Sequence, residues 1–226
     1  MTDFRPPSLQ VDSNDQAVAQ LAIYYSSSQP YVGARFDTWS SRHCSESSTE
    51  FTADDLVAVS FLSVNVPPIA ATRLLGEEPS TFNDLLAEIP PHLSFWEAGE
   101  PSEDSPQWKL EKELMAIPGV GLAIASKLMA RKRPHLVPIL DSVVRDTLGL
   151  PRRKWASLYD LFGDVEFRTR LEAVRAEAQQ RDDVMLPDDL SLLRTFDVVT
   201  WMDGKAMSAS DPVYEGWPED PARDED

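Results

Sequence analysis

Apolar side chains recur every three or four residues along most of this chain, the spacing of helices that bury one face. This periodicity predicts helices over residues 12–25, 52–64, 67–76, 79–89, 107–117, 122–133, 142–148, 152–162, 164–180 and 187–204. Prolines and glycines mark most of the breaks between them. No segment alternates apolar and polar residues over a convincing length, so the predicted fold class is all-α, a helical bundle.

A glycine hairpin separates two of the predicted helices, with the sequence Ile117-Pro118-Gly119-Val120-Gly121. Pro118 cannot continue the incoming helix, because its ring removes a backbone donor and clashes with the preceding turn. The two glycines permit positive φ and leave their N–H groups uncovered. Helix, glycine hairpin and alanine-rich helix form the helix-hairpin-helix pattern, whose N–H groups and positive helix end suit a nucleic-acid phosphate. A turn that merely joins two packed helices is the alternative.

Basic residues follow the hairpin. Lys127 and Arg131 share one face of the second helix, and Lys132 and Arg133 come directly after them. They predict either a phosphate-binding surface or a solvated helix end, where cations suit the helix dipole. The predicted nucleic-acid-binding residues are Gly119, Val120, Gly121, Lys127, Arg131, Lys132 and Arg133.

Asp141 precedes the short helix predicted over residues 142–148. A carboxylate at this point can accept backbone N–H bonds as an N-cap, which explains its position without any chemistry.

The residues I-P-G-V-G, followed by P-I-L-D-S-V-V, resemble the core of the helix-hairpin-helix DNA glycosylases over about 45 of the 226 residues. In that family a Pro-Gly-Val-Gly hairpin precedes an aspartate that opens the next helix, and the 20-residue step from Gly121 to Asp141 agrees with it. The resemblance implies a glycosylase-like fold. It also implies a catalytic role for Asp141, which would activate water or stabilise the sugar cation as a flipped base leaves.

Two features depart from that family. Its bifunctional members carry a lysine two residues after the last hairpin glycine, where this chain has Ala123. The aspartate is followed by Ser-Val-Val instead of the usual Thr-His-Val. An enzyme of this kind would therefore be a monofunctional hydrolase without the lyase lysine. The chain has one cysteine, so the four-cysteine iron–sulfur run is absent and no cofactor or metal is predicted.

Over most of its length the chain also resembles a small bacterial family of unknown function. The residues that carry this resemblance are the segments F-T-A-D-D-L-V-A-V, I-P-G-V-G, K-L-M-A-R-K-R-P, S-L-L-R and W-M. This second resemblance implies no activity.

The net charge of −17 argues against a general nucleic-acid binder, because phosphate repels such a chain at long range. Residues 105–160, however, hold ten Lys and Arg against five Asp and Glu, a local charge of +5. Screening over about 8 Å allows such a patch to act locally. The single cysteine and the lack of a signal-like or membrane-spanning stretch predict a cytoplasmic protein without membrane contact.

The predicted organisation has two helical halves. Residues 1–11 are expected to be disordered, 12–96 to form an N-terminal helical half, 97–106 an acidic linker, 107–204 the helix-hairpin-helix half and 205–226 a disordered acidic tail.

Three further segments are candidates for function. The aromatic-rich stretch Tyr31 to Trp39 anchors a loop or stacks bases. His43 and Cys44 are too few ligands for a metal site. The pair Asp54 and Asp55 is explained by helix capping after Thr52.

The combined hypothesis is a nucleic-acid-binding protein with a helix-hairpin-helix phosphate clamp, with DNA as its partner and Asp141 as the catalytic residue if it is a glycosylase. The alternative is a non-catalytic interaction or structural protein that binds a protein partner and whose hairpin is purely structural.

Overall fold

The computed structural model describes residues 4–40, 49–150 and 156–209. Over these ranges the chain is all-α, with twelve α-helices and no β-strand, so the predicted fold class is confirmed at this level. The helices are α1 (Asp15–Tyr24), α2 (Arg35–Thr38), α3 (Ala53–Ser60), α4 (Pro68–Thr72), α5 (Pro79–Ala87), α6 (Phe95–Ala98), α7 (Pro106–Met115), α8 (Leu122–Lys132), α9 (Ser142–Leu148), α10 (Ala156–Gly163), α11 (Val165–Gln179) and α12 (Leu192–Ala209).

Helix ends follow the capping residues that the sequence indicates. Thr52 and Asp55 form a reciprocal capping box at the start of α3. Asp141 accepts the N–H of Val144 at 2.9 Å and caps α9, and Asp164 caps α11. The α4 helix continues into one π-helical turn, Arg73–Glu77, before Pro79 opens α5.

Two hydrophobic clusters form the core. The terminal cluster joins apolar residues from α1 with those from α6 and α9–α12. The central cluster collects residues between positions 36 and 139, from α2–α5, α7 and α8. The first and last described helices thus share one cluster, and this division differs from the predicted halves on either side of residues 97–106. The difference arises because α1 packs on α11 and α12, and periodicity alone does not say which distant helix covers an apolar face.

The expectation of disorder for residues 1–11 is wrong for residues 4–11. A 3-10 turn, Pro7–Leu9, buries Leu9 completely in the terminal cluster. The backbone N–H and hydroxyl of Ser8 both donate to Asp203 on α12, at 2.9 and 2.8 Å.

The last helix, predicted over residues 187–204, does not end there, since α12 runs through Gly204 to Ala209. A Cβ at this position would lie 2.3 Å from Thr147 Oγ1 and 2.7 Å from Val143 Cγ1. The glycine therefore permits the close packing of α12 on α9. Residues 210–226 of the predicted tail, and residues 151–155 at the predicted start of α10, lie outside the described residues.

Candidate functional site

The glycine hairpin is a tight, exposed turn between α7 and α8. Gly119 has φ +81°, a left-handed conformation, and the N–H of Val120 donates to the carbonyl of Ile117 at 3.0 Å. Val120 points into the central cluster, whereas Gly119 and Gly121 are exposed. The predicted hairpin is thus formed, with its apolar residue inward and its glycine backbone outward.

The first turn of α8 begins directly after this hairpin. Gly121 is its N-cap in an extended conformation, and no side chain in the described part of the chain caps it through a hydrogen bond. The first N–H groups of a helix have no partner within that helix, and the helix dipole adds partial positive charge there. The hairpin therefore offers a backbone surface suited to an anion.

We expect Gly119→Ala to lower the free energy of unfolding by about 1–2 kcal/mol, the cost of a left-handed conformation for a residue with a Cβ. The new Cβ would also lie 3.0 Å from Pro67 Cγ. Gly121→Ala is the matched control, because its Cβ would meet no described atom within 4 Å and its φ is −90°. Denaturant unfolding of both variants checks this; equal losses would contradict it.

The basic residues of α8 are directed inward rather than forming an exposed patch. Lys127 is 2% exposed, and its ammonium donates to the carbonyl of Leu62 at 2.9 Å. Lys132 is 6% exposed and lies 3.0 Å from the Asp55 carboxylate, and Arg131 lies 3.5 Å from the same carboxylate. These three cations tie α8 to the segments that carry α2 and α3.

Arg133, just after α8, is completely enclosed. Its guanidinium donates to the carbonyls of Leu86 and Ile89, at 2.6 and 2.7 Å, where α5 ends. Burial lowers its pKa to about 10. Among the described residues, two exposed cations, Lys109 and Lys112, precede the hairpin on α7.

Asp141 and Lys127, although 14 positions apart, meet across the junction of the two clusters. The Lys127 ammonium lies 3.7 Å from Asp141 Oδ2, and the aspartate side chain keeps 19% of its surface exposed. Burial lowers the pKa of Lys127, although Asp141 opposes that effect. The structure thus brings the predicted catalytic aspartate to a predicted phosphate-binding lysine, and leaves that lysine enclosed.

A second ionic group, which the sequence analysis missed, continues from this pair. Arg194 on α12 donates to both oxygens of Asp37 at 3.0 Å and pairs with Asp197 one turn further along its helix. Its guanidinium also donates to the hydroxyl of Tyr24 at 2.9 Å, and Tyr25 donates to Asp37 at 2.7 Å. An arginine and an aspartate three residues apart on the inward face of an apolar helix are the pattern that could have revealed it.

Burial raises the pKa of Asp197 to about 7, with Arg194 opposing and Asp141 reinforcing the rise. Burial likewise raises the pKa of Asp37, again against Arg194. The junction between the clusters therefore holds two buried carboxylates, Asp37 and Asp197, whose pKa values are raised.

We expect Asp197→Asn to change the pH dependence of stability. Because the folded pKa of about 7 lies above the ordinary value of 3.8, the native state retains a proton that the unfolded chain loses. This contribution is complete below pH 4 and is lost as the pH rises towards 7, by up to about 1.4 kcal/mol per pH unit. Urea unfolding from pH 4 to 8 should show the wild type losing stability relative to the variant over that window. Parallel curves would contradict the assignment.

A cleft of about 130 Å³ opens beside the Arg194 group. Its wall includes Asp37, Arg131, Lys132, Asp189 and Arg194. Asp141 and Lys127 do not line it, so this cleft and the predicted catalytic residue are on different parts of the junction.

Within the described ranges, no group of three His, Cys, Asp or Glu side chains could hold a metal ion. No helix among the described residues has the length and apolar character needed to cross a bilayer. His43 and Cys44 lie outside the described residues.

A sequence profile described as a family of unknown function (DUF6308) matches residues 17–204, which include the hairpin, Asp141 and the Arg194 group. No curated protein and no solved structure matches the chain. The likeness to DNA glycosylases therefore rests on the motif and the spacing between residues 117 and 141. Since the profile covers most of its length, the chain belongs to this family of unknown function.

Proposed function

We propose that this protein binds nucleic acid through the backbone of the hairpin at residues 118–121. The observation that carries the proposal is the exposed hairpin, whose glycines lead into the uncapped first turn of α8 described above. Backbone N–H groups and a helix N-terminus are a suitable site for phosphate and carry no sequence preference. Lys109 and Lys112, exposed on the helix that enters the hairpin, supply the accompanying cations.

We also propose that Asp141 is the catalytic residue of a monofunctional base-excision reaction. In such a reaction water adds to the sugar carbon, the bond to the base breaks, and the base leaves with a proton. Asp141 would direct that water or stabilise the positive sugar, with its orientation fixed by the Val144 N–H and the Lys127 ammonium. Its 19% exposure gives it access to solvent.

Binding of a 20-base-pair duplex at two salt concentrations tests the first proposal. Wild-type binding should fall as salt rises, because bound phosphates release counterions. Lys112→Glu should weaken binding and reduce the salt slope by about one. Arg181→Glu is the matched control, since it changes the net charge equally at an exposed position beside Asp183. Equal binding by the two variants would contradict a contact at the hairpin.

The second proposal requires a hydrolytic assay. Wild type and Asp141→Asn would be incubated with duplexes that carry single alkylated, deaminated or oxidised bases, followed by alkaline cleavage of abasic sites. We expect strand breaks with the wild type on at least one lesion and none with the variant. Equal release of the damaged base by both proteins would show that Asp141 takes no part in the reaction.

A non-catalytic interaction protein is the second candidate, and the burial of the α8 cations favours it. Lys127, Lys132 and Arg133 are each at most 6% exposed and bind internal oxygens, so their charges stabilise the fold. In this candidate the hairpin joins two helices and a protein is the partner. A wild-type protein that binds no DNA even at low salt would favour it.

A further inference from the structure

Three aromatic rings contact one another beside the terminal cluster. The ring of Tyr31 lies parallel to that of Tyr24, with centroids 5.5 Å apart and planes 5° from parallel. Trp201 meets both tyrosines edge-on, at 5.7 and 6.1 Å. We call Tyr24, Tyr31 and Trp201 the aromatic platform.

The platform is held in place before any ligand arrives. Tyr24 is buried, and its hydroxyl accepts a hydrogen bond from Arg194. The backbone N–H of Tyr31 donates to the carbonyl of Tyr24 at 3.1 Å, and its own carbonyl accepts from Ala34 at 3.0 Å. A planar ligand that stacks here would therefore have little side-chain entropy to remove.

The solvent-facing edge of the platform is aromatic and cationic. Tyr31 keeps 40% of its surface exposed although one ring face covers Tyr24. The ammonium of Lys205, on the exposed surface of α12, lies 5.4 Å from the centre of the Trp201 ring. An aromatic face beside an exposed cation is complementary to a flat base attached to a phosphate.

The platform is linked to the surroundings of Asp141 through α12. Trp201 lies one helical turn after Asp197, which interacts electrostatically with both Asp141 and Lys127. Arg194 connects the Tyr24 hydroxyl to Asp197. The Tyr24 hydroxyl, Arg194 and Asp197 therefore form a chain of polar contacts that leads from the platform towards the partly exposed aspartate.

We propose that the aromatic platform stacks an unpaired nucleobase through the exposed face of Tyr31. This inference rests on the proposed nucleic-acid function and specifies that the stacked base is unpaired, either in a single strand or extruded from a duplex.

Two synthetic strands separate base stacking from phosphate contact. Each has ten tetrahydrofuran abasic residues, and in one of them a central residue is replaced by adenine. The wild type should bind the adenine strand about 5- to 150-fold more tightly, the range expected for one stacked base. Tyr31→Leu, which retains an apolar contact with Tyr24, should lose this preference, and Tyr31→Phe should retain it. Trp39→Leu is the control, since Trp39 is 37% exposed and packs edge-on against Phe61 away from the platform.

Each outcome decides the proposal. Equal binding of the two strands by the wild type would contradict base stacking on the platform but not the proposed phosphate contact at the hairpin. Binding of neither strand at low salt would overturn both proposals. An adenine preference that survives in Tyr31→Leu would also overturn the platform. If that variant does not fold, 2-aminopurine in place of adenine gives the answer with wild-type protein, because stacking quenches its fluorescence and unchanged fluorescence in the complex would contradict the proposal.

Discussion

Arg194→Ala should lower the free energy of unfolding by about 3–5 kcal/mol, the usual cost of breaking a buried ion pair from one side. The substitution leaves Asp37 and Asp197, at most 9% exposed, without their common cation. It also removes a donor from the Tyr24 hydroxyl and from the carbonyl of Gly33. Domains of this kind are stable by about 5–15 kcal/mol in total, so the variant should be near the limit of folding. Equilibrium unfolding in urea measures the loss.

Two companion variants identify the cause of that loss. Arg181→Ala removes an exposed arginine whose pair with Asp183 is open to solvent, and it should cost at most about 0.5 kcal/mol. Arg194→Met combined with Asp37→Asn and Asp197→Asn removes the charges together and should recover much of the stability. If Arg194→Ala unfolds at the same urea concentration as Arg181→Ala, the buried ionic group does not stabilise the junction.

Asp55→Ala is expected to cause a loss of similar size, about 3–5 kcal/mol. The Asp55 carboxylate accepts the N–H and hydroxyl of Thr52 at 2.8 and 2.9 Å and so completes the capping box of α3. It also faces Lys132 at 3.0 Å and Arg131 at 3.5 Å, both of which would be left buried without a carboxylate. The loss of the cap alone would account for only about 1 kcal/mol.

The adjacent carboxylate provides the control. Asp54 is exposed and accepts bonds from Ser40 and Trp39, at 2.8 and 3.3 Å. Its replacement by alanine should cost less than about 1 kcal/mol. The difference between the two losses, measured by the same urea titration, gives the stability that Asp55 contributes beyond that of an exposed first-turn carboxylate. The part above about 1 kcal/mol reflects its pairing with Arg131 and Lys132 and not the cap. Equal losses would mean that the pairing of Asp55 with α8 contributes nothing.

Helix positions near local capping residues could be predicted from the sequence, because capping depends on neighbours in the chain. The helix after Asp141 was expected over residues 142–148 and is observed as Ser142–Leu148. The capping of α3 by Thr52 and of α11 by Asp164 likewise depends on side chains a few positions from the N–H groups that they accept.

The burial of the basic residues of α8 and of Arg133 could not be predicted from the sequence, because their hydrogen-bond partners are distant in sequence. Arg133 is enclosed by carbonyls more than 40 positions away at the end of α5, and Lys127 reaches a carbonyl 65 positions away. The local sequence pattern predicts that such residues lie on a charged surface. The structure instead uses them as donors to backbone carbonyls at the end of α5 and after α3.

The partners of Arg194 likewise could not be predicted from the sequence. The sequence identifies Leu192, Leu193 and Phe196 as an apolar inward face, and an arginine and an aspartate on that face need partners to be buried. Periodicity does not reveal that the partner is Asp37, because it lies on a separate helix 157 positions earlier. Partner identity is set by the packing of α1, α2 and α12, which only the tertiary structure supplies.

The most direct test of the proposed function is the response of the hairpin amides to DNA. Uniformly ¹⁵N-labelled protein would be titrated with a short duplex at low salt, and the Gly119 and Gly121 resonances followed in two-dimensional spectra. We predict that these two signals and those of the first turn of α8 shift progressively with added DNA and return as salt is raised. Hairpin amides that stay unchanged while DNA is in excess would contradict a phosphate contact at this site.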